Sequence, residues 1–184
     1  MNLLQLILSD YSKHKKYGGH FLGIVFFTQG FWAVFQYRLA HFCYCRIKWQ
    51  PFRLLFLMLF LLWQKIIEIT TGISIPASAK IGHSFYIGHF GGIIINANVI
   101  IGNDCNISQG VTIGVGGRGE KRGTPILGDK IYVGANAVVS GNVNIGYEVL
   151  IGACSLVNQS IPDCSVVLGV PAVIISQKGS KGYI

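Results

Sequence analysis

The sequence predicts a parallel β-helix preceded by a short α-helical segment, and three observations lead there. Ile, Leu or Val recurs every six residues at Leu127, Val133, Val139, Ile145, Ile151 and Val157, and upstream at Ile75, Ile81, Ile87 and at Ile95, Ile101, Ile107, Ile113. Glycine follows the anchor at Gly128, Gly134, Gly146 and Gly152. Ahead of these hexads, apolar residues run instead at helical spacing as far as Thr71. A fixed short repeat is the signature of a solenoid, in which each hexad forms one short face and its aliphatic anchor points into a shared core. Small or β-branched residues four places after an anchor (Ala79, Val111, Ala137, Val143, Val149, Ser155) fill a second inward position. The glycines suit tight corners that call for a positive φ.

In chain order, residues 1–72 form a basic, apolar helical segment. Eight Lys/Arg precede Ser74 (Lys13, Lys15, Lys16, Arg38, Arg46, Lys48, Arg53, Lys65) against Asp10 and Glu68, a net +6 of the chain's +8. The apolar run Met1 to Leu8 is short and lacks a basic leader, which argues against a secretory signal. Helical spacing places one helix through Phe31, Val34, Phe35, Tyr37, Leu39 and Phe42, and a second, after Pro51, through the unbroken apolar run Leu54 to Trp63. Crossing a bilayer takes about 20 apolar residues. This shorter run, flanked by Arg53 and Lys65, is therefore expected to be buried between subunits, with a membrane-lying placement as the second reading. Gly72 is a natural helix stop.

Hexads then fill residues 73–176. Two extra residues enter between Ile87 and Ile95, with His89, Gly91 and Gly92 among them, so the chain must bulge just after His89. From Val115 to Pro125 the beat breaks, and the anchor expected at position 119 is Gly119. Residues 115–125 should protrude as a mobile, basic arm. Past Val157 the beat fades through Pro162 and Pro171 into a polar tail, residues 177–184, with Lys178 and Lys181.

Composition narrows the function classes. Hydrophobic residues are 51% and charged ones 12%, a balance that suits a multimer or a membrane-apposed protein. No nucleic-acid-binding motif accompanies the basic excess, so nucleic acid is not expected, and a membrane surface or an anionic substrate fits better. The five cysteines are odd in number and lack CxxC spacing, which argues against a disulfide framework or a zinc site; they read as reduced thiols, mostly small core residues. Neither a dinucleotide-binding nor a Walker fingerprint is present, and Ser108 and Ser155 lack a base partner. His83 and His89 both sit two places after an anchor, one hexad apart. On a three-sided coil they diverge and do not share a metal. His89, beside the bulge and the arm, is the candidate general base for a hydroxyl, because a neutral imidazole near pH 7 accepts such a proton; His83 reads as structural. Backbone N–H groups at Gly114, Val115 and Gly116 are placed to face a thioester oxygen as charge develops there. Arg118, Lys121 and Arg122 offer charge for phosphates or an acidic acceptor.

These residues resemble the left-handed β-helix acyltransferases built on hexapeptide repeats, and more closely their serine O-acetyltransferase branch with its polysaccharide-modifying relatives. The resemblance runs from Gly72 to about Ser176 and rests on His89-Phe-Gly-Gly-Ile-Ile-Ile-Asn96, Gln109-Gly-Val-Thr-Ile-Gly114, Ile151-Gly-Ala-Cys-Ser155 and Gly169-Val-Pro-Ala172. It implies an all-β left-handed parallel β-helix, a homotrimer with acetyl-CoA lying between neighbouring β-helices, and direct transfer of acetyl to a hydroxyl deprotonated by His89, with no metal. It places Gly114 and Val115 beside the thioester and Ala135 and Ala153 along the pantetheine groove; Gly116 and Lys178 join them as candidate cofactor-binding residues. Four positions depart from the serine-handling pattern. Gly88 stands where an Asp precedes the histidine, Ser74 where an Asp orients it, and Gly123 and Thr124 where an Arg-His pair holds the serine carboxylate; Arg122 lies one place from that pair. Ser74, Gly88, Arg122 and Thr124 are thus the candidate acceptor-site residues. The helical start, from Phe31-Trp32-Ala33 to Tyr37-Arg38-Leu39-Ala40-His41, is similar to that of colanic-acid and capsule acetyltransferases. The expectation is therefore acetylation of a sugar hydroxyl on a polysaccharide precursor. Serine acetylation is the alternative, and a non-catalytic trimeric scaffold at the membrane is the second. The expected location is the cytoplasm, with residues 1–72 as a candidate contact for the inner membrane face or a biosynthetic complex.

Overall fold

The computed structural model describes the backbone of residues 1–184 and all side chains except those of Pro51 and Lys121. Four helices open the chain: α1 (Leu3–Lys16), α2 (Phe21–Phe27), α3 (Gln29–Arg46) and α4 (Gln50–Thr71). The last two occupy the stretch that the spacing predicts, whereas α1 and α2 go beyond it. α1 begins in a capping box: the Asn2 side chain accepts from the Gln5 N–H, and the Gln5 side chain accepts from the Asn2 N–H. Its last turn carries Lys13, His14, Lys15 and Lys16, where cations complement the negative end of the helix. α4 ends at Gly72, which takes a left-handed φ of 67° and turns the chain into β1 (Ile73–Ser74).

The rest of the chain winds through three parallel sheets. The first face stacks β1, β4 (Ile93–Ile95), β7 (Thr112–Gly114), β10 (Val138–Ser140) and β13 (Leu156–Val157). The second stacks β2 (Lys80–Ile81), β5 (Ile100–Ile101), β8 (Ile126–Leu127) and β11 (Asn144–Ile145). The third stacks β3 (Tyr86–Ile87), β6 (Asn106–Ile107), β9 (Tyr132–Val133), β12 (Leu150–Ile151) and β14 (Val166–Leu168), with β15 (Val173–Ser176) closing antiparallel on β14. Pairing sets anchor on anchor: Ile95 on Ile113, Ile101 on Leu127, Ile107 on Val133, Val139 on Val157. Every anchor and every second inward residue named above is buried. The two-residue shift after Ile87 is taken up by Gly91 and Gly92, at φ 100° and 66°.

The corners differ from expectation. Gly128, Gly134, Gly146 and Gly152 do not occupy the left-handed region; Ser84, Asp104, Lys130, Asn136, Glu148, Cys154 and Cys164 do, with φ between 53° and 60°. The glycines are needed because successive coils touch: a Cβ on Gly134 would lie 2.6 Å from the Ala153 nitrogen. The arm is a short hairpin, with Gly116 and Gly123 exchanging backbone hydrogen bonds of 3.2 and 3.1 Å around a 3₁₀ turn at Gly119–Lys121. The Lys121 side chain lies outside the described residues. Of the cysteines only Cys105 is buried, while Cys45 and Cys154 are exposed, so the reading of them as mostly core residues does not hold.

Polar anchors fasten the helices to the first coil. Arg38 donates from Nε to Asp10 Oδ2 (2.8 Å), from Nη2 to Asp10 Oδ1 (3.0 Å) and from Nη1 to the Ile81 carbonyl (2.8 Å), and Asp10 also accepts from the Phe85 N–H (2.8 Å). The Tyr37 hydroxyl donates to the Ala79 carbonyl at 2.8 Å, and burial pushes its pKa up to about 12. α3 lies so close to β3 that a Cβ on Gly30 would come 2.0 Å from the Ile87 carbonyl oxygen. The tail is held as well: Ser180 donates from its N–H to the Glu148 carbonyl and from its hydroxyl to the Lys130 carbonyl (3.0 and 2.7 Å), and the Tyr183 carbonyl accepts from Tyr17 and Asn106 (both 3.1 Å).

His14 gives the helical head an acid-sensitive point. It is buried against Tyr86 and Phe31, at centroid distances of 4.7 and 5.4 Å, with Nδ1 2.9 Å from the Asp10 carbonyl. Burial lowers its pKa, against smaller upward effects of the Asp10 and Ile87 carbonyls. A depressed pKa means that the contribution of neutral His14 is fully present above the unfolded value of about 6.5 and is lost as pH falls through the folded value. The melting temperature is expected to fall as the pH drops below about 6.5. In His14→Phe, thermal melts should show a smaller fall below that pH.

Candidate active site

The edge between the third and first faces is built from the residues that follow β3, β6, β9 and β12. Backbone bonds run up this edge: Gly110 N–H to the Gly91 carbonyl (2.8 Å), Asn136 N–H to Gln109 (2.9 Å) and Cys154 N–H to Ala135 (2.8 Å). His89, Ala135 and Ala153 therefore share it. His89 is exposed, and its ring takes part in no hydrogen bond among the described residues, so both nitrogens are free for a reacting group. Gly88 sits against Tyr86, where a Cβ would meet the hydroxyl at 2.9 Å.

Beside the bulge lies a carboxylate that sequence reasoning missed. Ser74 Oγ donates to Glu68 Oε1 at 2.7 Å, and Gln64 Nε2 donates to the same oxygen at 2.8 Å, while Lys65 pairs with the other. Burial alone would raise the Glu68 pKa, yet the hydrogen bonds from Lys65, Ser74 and Gln64 outweigh it and hold the carboxyl below its usual value. The Gly91 N–H donates to the Thr71 carbonyl at 2.8 Å and the Ile93 N–H to Gly72 at 3.0 Å. The His89 loop is thereby tied to the end of the helix that carries Glu68. No hydrogen bond joins His89 to Ser74 or Glu68 among the described residues. Glu68 and Ser74 meet across the turn at Gly72, where neither the helical nor the hexad spacing relates them.

The edge between the first and second faces carries the arm. Gly114 ends β7 and accepts from the Gly141 N–H at 3.3 Å; Val115 and Arg122 are exposed, and Thr124 donates to the Asn98 carbonyl at 3.2 Å. A Cβ on Gly116 would lie 2.8 Å from the Gly141 nitrogen. Next to the arm opens a cleft of about 600 Å³ lined by Gly117, Ser140, Asn142, Asn158 and Gln159 among others. Its polar residues break no period and so carried no signal. Lys178 belongs to neither edge: its segment follows β15 on the third face.

One chain thus separates the candidate residues into two groups. His89, Ala135 and Ala153 stand on one edge, and Gly114, Val115, Gly116, Arg122 and Thr124 stand on another, with the first face and Ser74 between them. A second copy whose arm-bearing edge faced the His89 edge would unite them, and repeating that unlike contact by rotation closes a ring. Such a groove, with a free imidazole and backbone N–H groups, has the parts that acyl transfer to a hydroxyl requires. No three His, Cys, Asp or Glu side chains gather to hold a metal among the described residues.

No protein-family model matches the chain. It is 32% identical over 161 residues to a serine acetyltransferase of Bacillus licheniformis, covering 88% of this chain and 71% of that protein. It is 38% identical over 154 residues to a serine acetyltransferase of Staphylococcus aureus, covering 83% and 68%. Among solved structures, the serine acetyltransferase of Neisseria gonorrhoeae superposes with a TM-score of 0.81 at 26% identity, over 95% of this chain and 65% of that one. A serine acetyltransferase in complex with CoA superposes with a TM-score of 0.79 at 28% identity, over 94% and 69%. The chain therefore spans roughly two thirds of the length of these proteins, and its fold is the left-handed parallel β-helix with an N-terminal helical segment. These relatives overturn the expectation of a sugar hydroxyl as acceptor. That expectation leaned on the helical start and on Ser74, Gly88, Gly123 and Thr124, which lie in β1, at the turn after β3 and in the arm, against a likeness that extends over most of the chain.

Proposed function

The chain belongs to the serine acetyltransferase family, acetyl-CoA-dependent acyltransferases of the hexapeptide-repeat fold, and we propose that its own acceptor is the hydroxyl of serine. The observation that carries this reading is the free, exposed His89 ring on the edge that also presents Ala135 and Ala153. The imidazole takes the proton of the serine hydroxyl as the oxygen attacks the thioester carbon. The tetrahedral oxyanion is met by the backbone N–H of Val115 on the arm of a neighbouring copy, since the Gly116 N–H is committed to the Gly123 carbonyl. Collapse breaks the carbon–sulfur bond, and the imidazolium returns its proton to the departing thiolate, leaving O-acetylserine and CoA.

In this reading the assembly is a trimer, Ala135 and Ala153 flank the pantetheine arm of acetyl-CoA, and Arg122 holds the serine carboxylate from the arm. The hydrogen-bonded Ser74–Glu68 pair supplies negative charge near the position from which the family's aspartate is missing. The activity is expected in the cytoplasm, where acetyl-CoA is available.

The test is release of free thiol from acetyl-CoA by the purified protein. L-Serine should drive it, ethanolamine and glycerol should not, and Arg122→Ala should raise the KM for serine while leaving that for acetyl-CoA unchanged. Absence of serine-dependent release from a protein that binds CoA would overturn the assignment.

A further inference from the structure

The helical head presents an apolar surface that neither the solenoid nor the acetyl-transfer reading uses. α4 packs on α3 through a narrow stripe that includes Leu57, Phe60, Gln64 and Ile67: the Phe60 carbonyl accepts from Gln36 Nε2 at 3.2 Å, and Trp63 lies 6.3 Å from Phe35 between ring centroids. Opposite that stripe, Leu55, Met58, Leu59, Leu62, Ile66 and Ile69 follow helical spacing and are all more than half exposed, from 53% at Leu59 to 83% at Ile69. Phe26 and Phe27 of α2 are likewise 57% and 77% exposed. An apolar hollow of about 740 Å³ between α1, α2, α3 and α4 adjoins Ile66. Soluble monomers rarely leave so much contiguous apolar surface uncovered.

Charge decides what covers it. Lys15, Lys16, Arg46 and Lys48 are exposed on the head. The two carboxylates before Ser74 are both engaged, Asp10 buried with Arg38 and Glu68 with Lys65. A second head would bring like charges together, whereas an anionic surface complements them. Immediately before α4, exposed Trp49 stacks on Phe52 at 4.6 Å, an aromatic pair of the kind that settles at a membrane–water interface.

We propose that this head docks on an anionic phospholipid bilayer, the outer face of α4 lying in the headgroup layer with Arg46 and Lys48 on lipid phosphates. By length and composition, Phe52–Thr71 would also cross a bilayer. Lying fits better, because crossing would strip α4 from α3 and pull β1 out of the first sheet. An interfacial helix sinks only about 5–10 Å, which leaves the solenoid and both its edges in water.

Full-length protein should float with vesicles of phosphatidylcholine and phosphatidylglycerol, and not with phosphatidylcholine alone. Arg46→Glu with Lys48→Glu should cut the bound fraction by about tenfold or more. Leu55→Gln with Leu59→Gln and Leu62→Gln should abolish flotation, with serine-dependent thiol release retained as proof of folding. Failure to float with anionic vesicles would overturn the proposal, as would flotation that the charge reversals leave unchanged. A triple-glutamine variant whose sedimentation mass falls while the parent ignores vesicles would assign the face to a contact between copies instead. Because thiol release is read separately, this result stands apart from that of the acceptor.

Discussion

Replacing His89 by alanine is expected to lower kcat for serine-dependent thiol release by about 10²–10⁴-fold, the range that a positioned proton acceptor contributes. The KM for acetyl-CoA should stay near the parent value, because Ala135, Ala153 and Gly114 to Gly116 are untouched. The loss is expected to be large because no second histidine shares the edge: His83 follows β2 at a different corner, with Nδ1 3.1 Å from Ser84 Oγ. A variant that kept kcat within about threefold would remove His89 from the chemistry.

Arg38→Met is expected to be the most damaging substitution outside the active site. Arg38 and Asp10 have side chains 1% exposed, and the guanidinium also satisfies the Ile81 and Gly82 carbonyls. Removing it strands a carboxylate in the interior, a loss of about 3–5 kcal/mol. In a chain of this size that corresponds to a fall in melting temperature of roughly 6–20 °C. Arg38→Met combined with Asp10→Leu should recover part of the loss, because replacing both partners leaves no buried charge. Thermal and urea unfolding of the single and double variants measure it. Equal destabilisation of both would mean that the pair acts through packing alone.

The solenoid was legible because its signal is one inward position repeated: Ile95, Ile113, Val139 and Val157 stack as their spacing requires. The corners were less so. Ser, Asp, Lys, Asn, Glu and Cys share the left-handed position, and only tight coil contact, not a preferred residue, marks the glycine beside it. α1 carried a readable start in Asn2 and Gln5, whereas α2 is only seven residues long and has no side-chain cap. His89 could be singled out because a two-residue insertion disturbs the beat beside it. Glu68 could not, since it reaches Ser74 only after the chain reverses at Gly72. The acceptor was misjudged for a related reason: the four substituted positions lie in the short strand β1, at the turn after β3 and in the arm, where a neighbour in space can replace a neighbour in sequence.

The course of the last residues changes how the molecule should come apart. A stack of coils coupled only to adjacent coils frays from its ends inward. Here β15 doubles back, and residues 177–184 descend past Glu148 and Lys130 until Tyr183 is bonded by Asn106 and by Tyr17, the residue that ends the first helix. Rungs far apart along the stack are strapped together, so neither extremity opens without releasing the other. Unfolding thereby becomes a single concerted event, with slow-exchanging amides spread along the full height of the coil rather than confined to its middle.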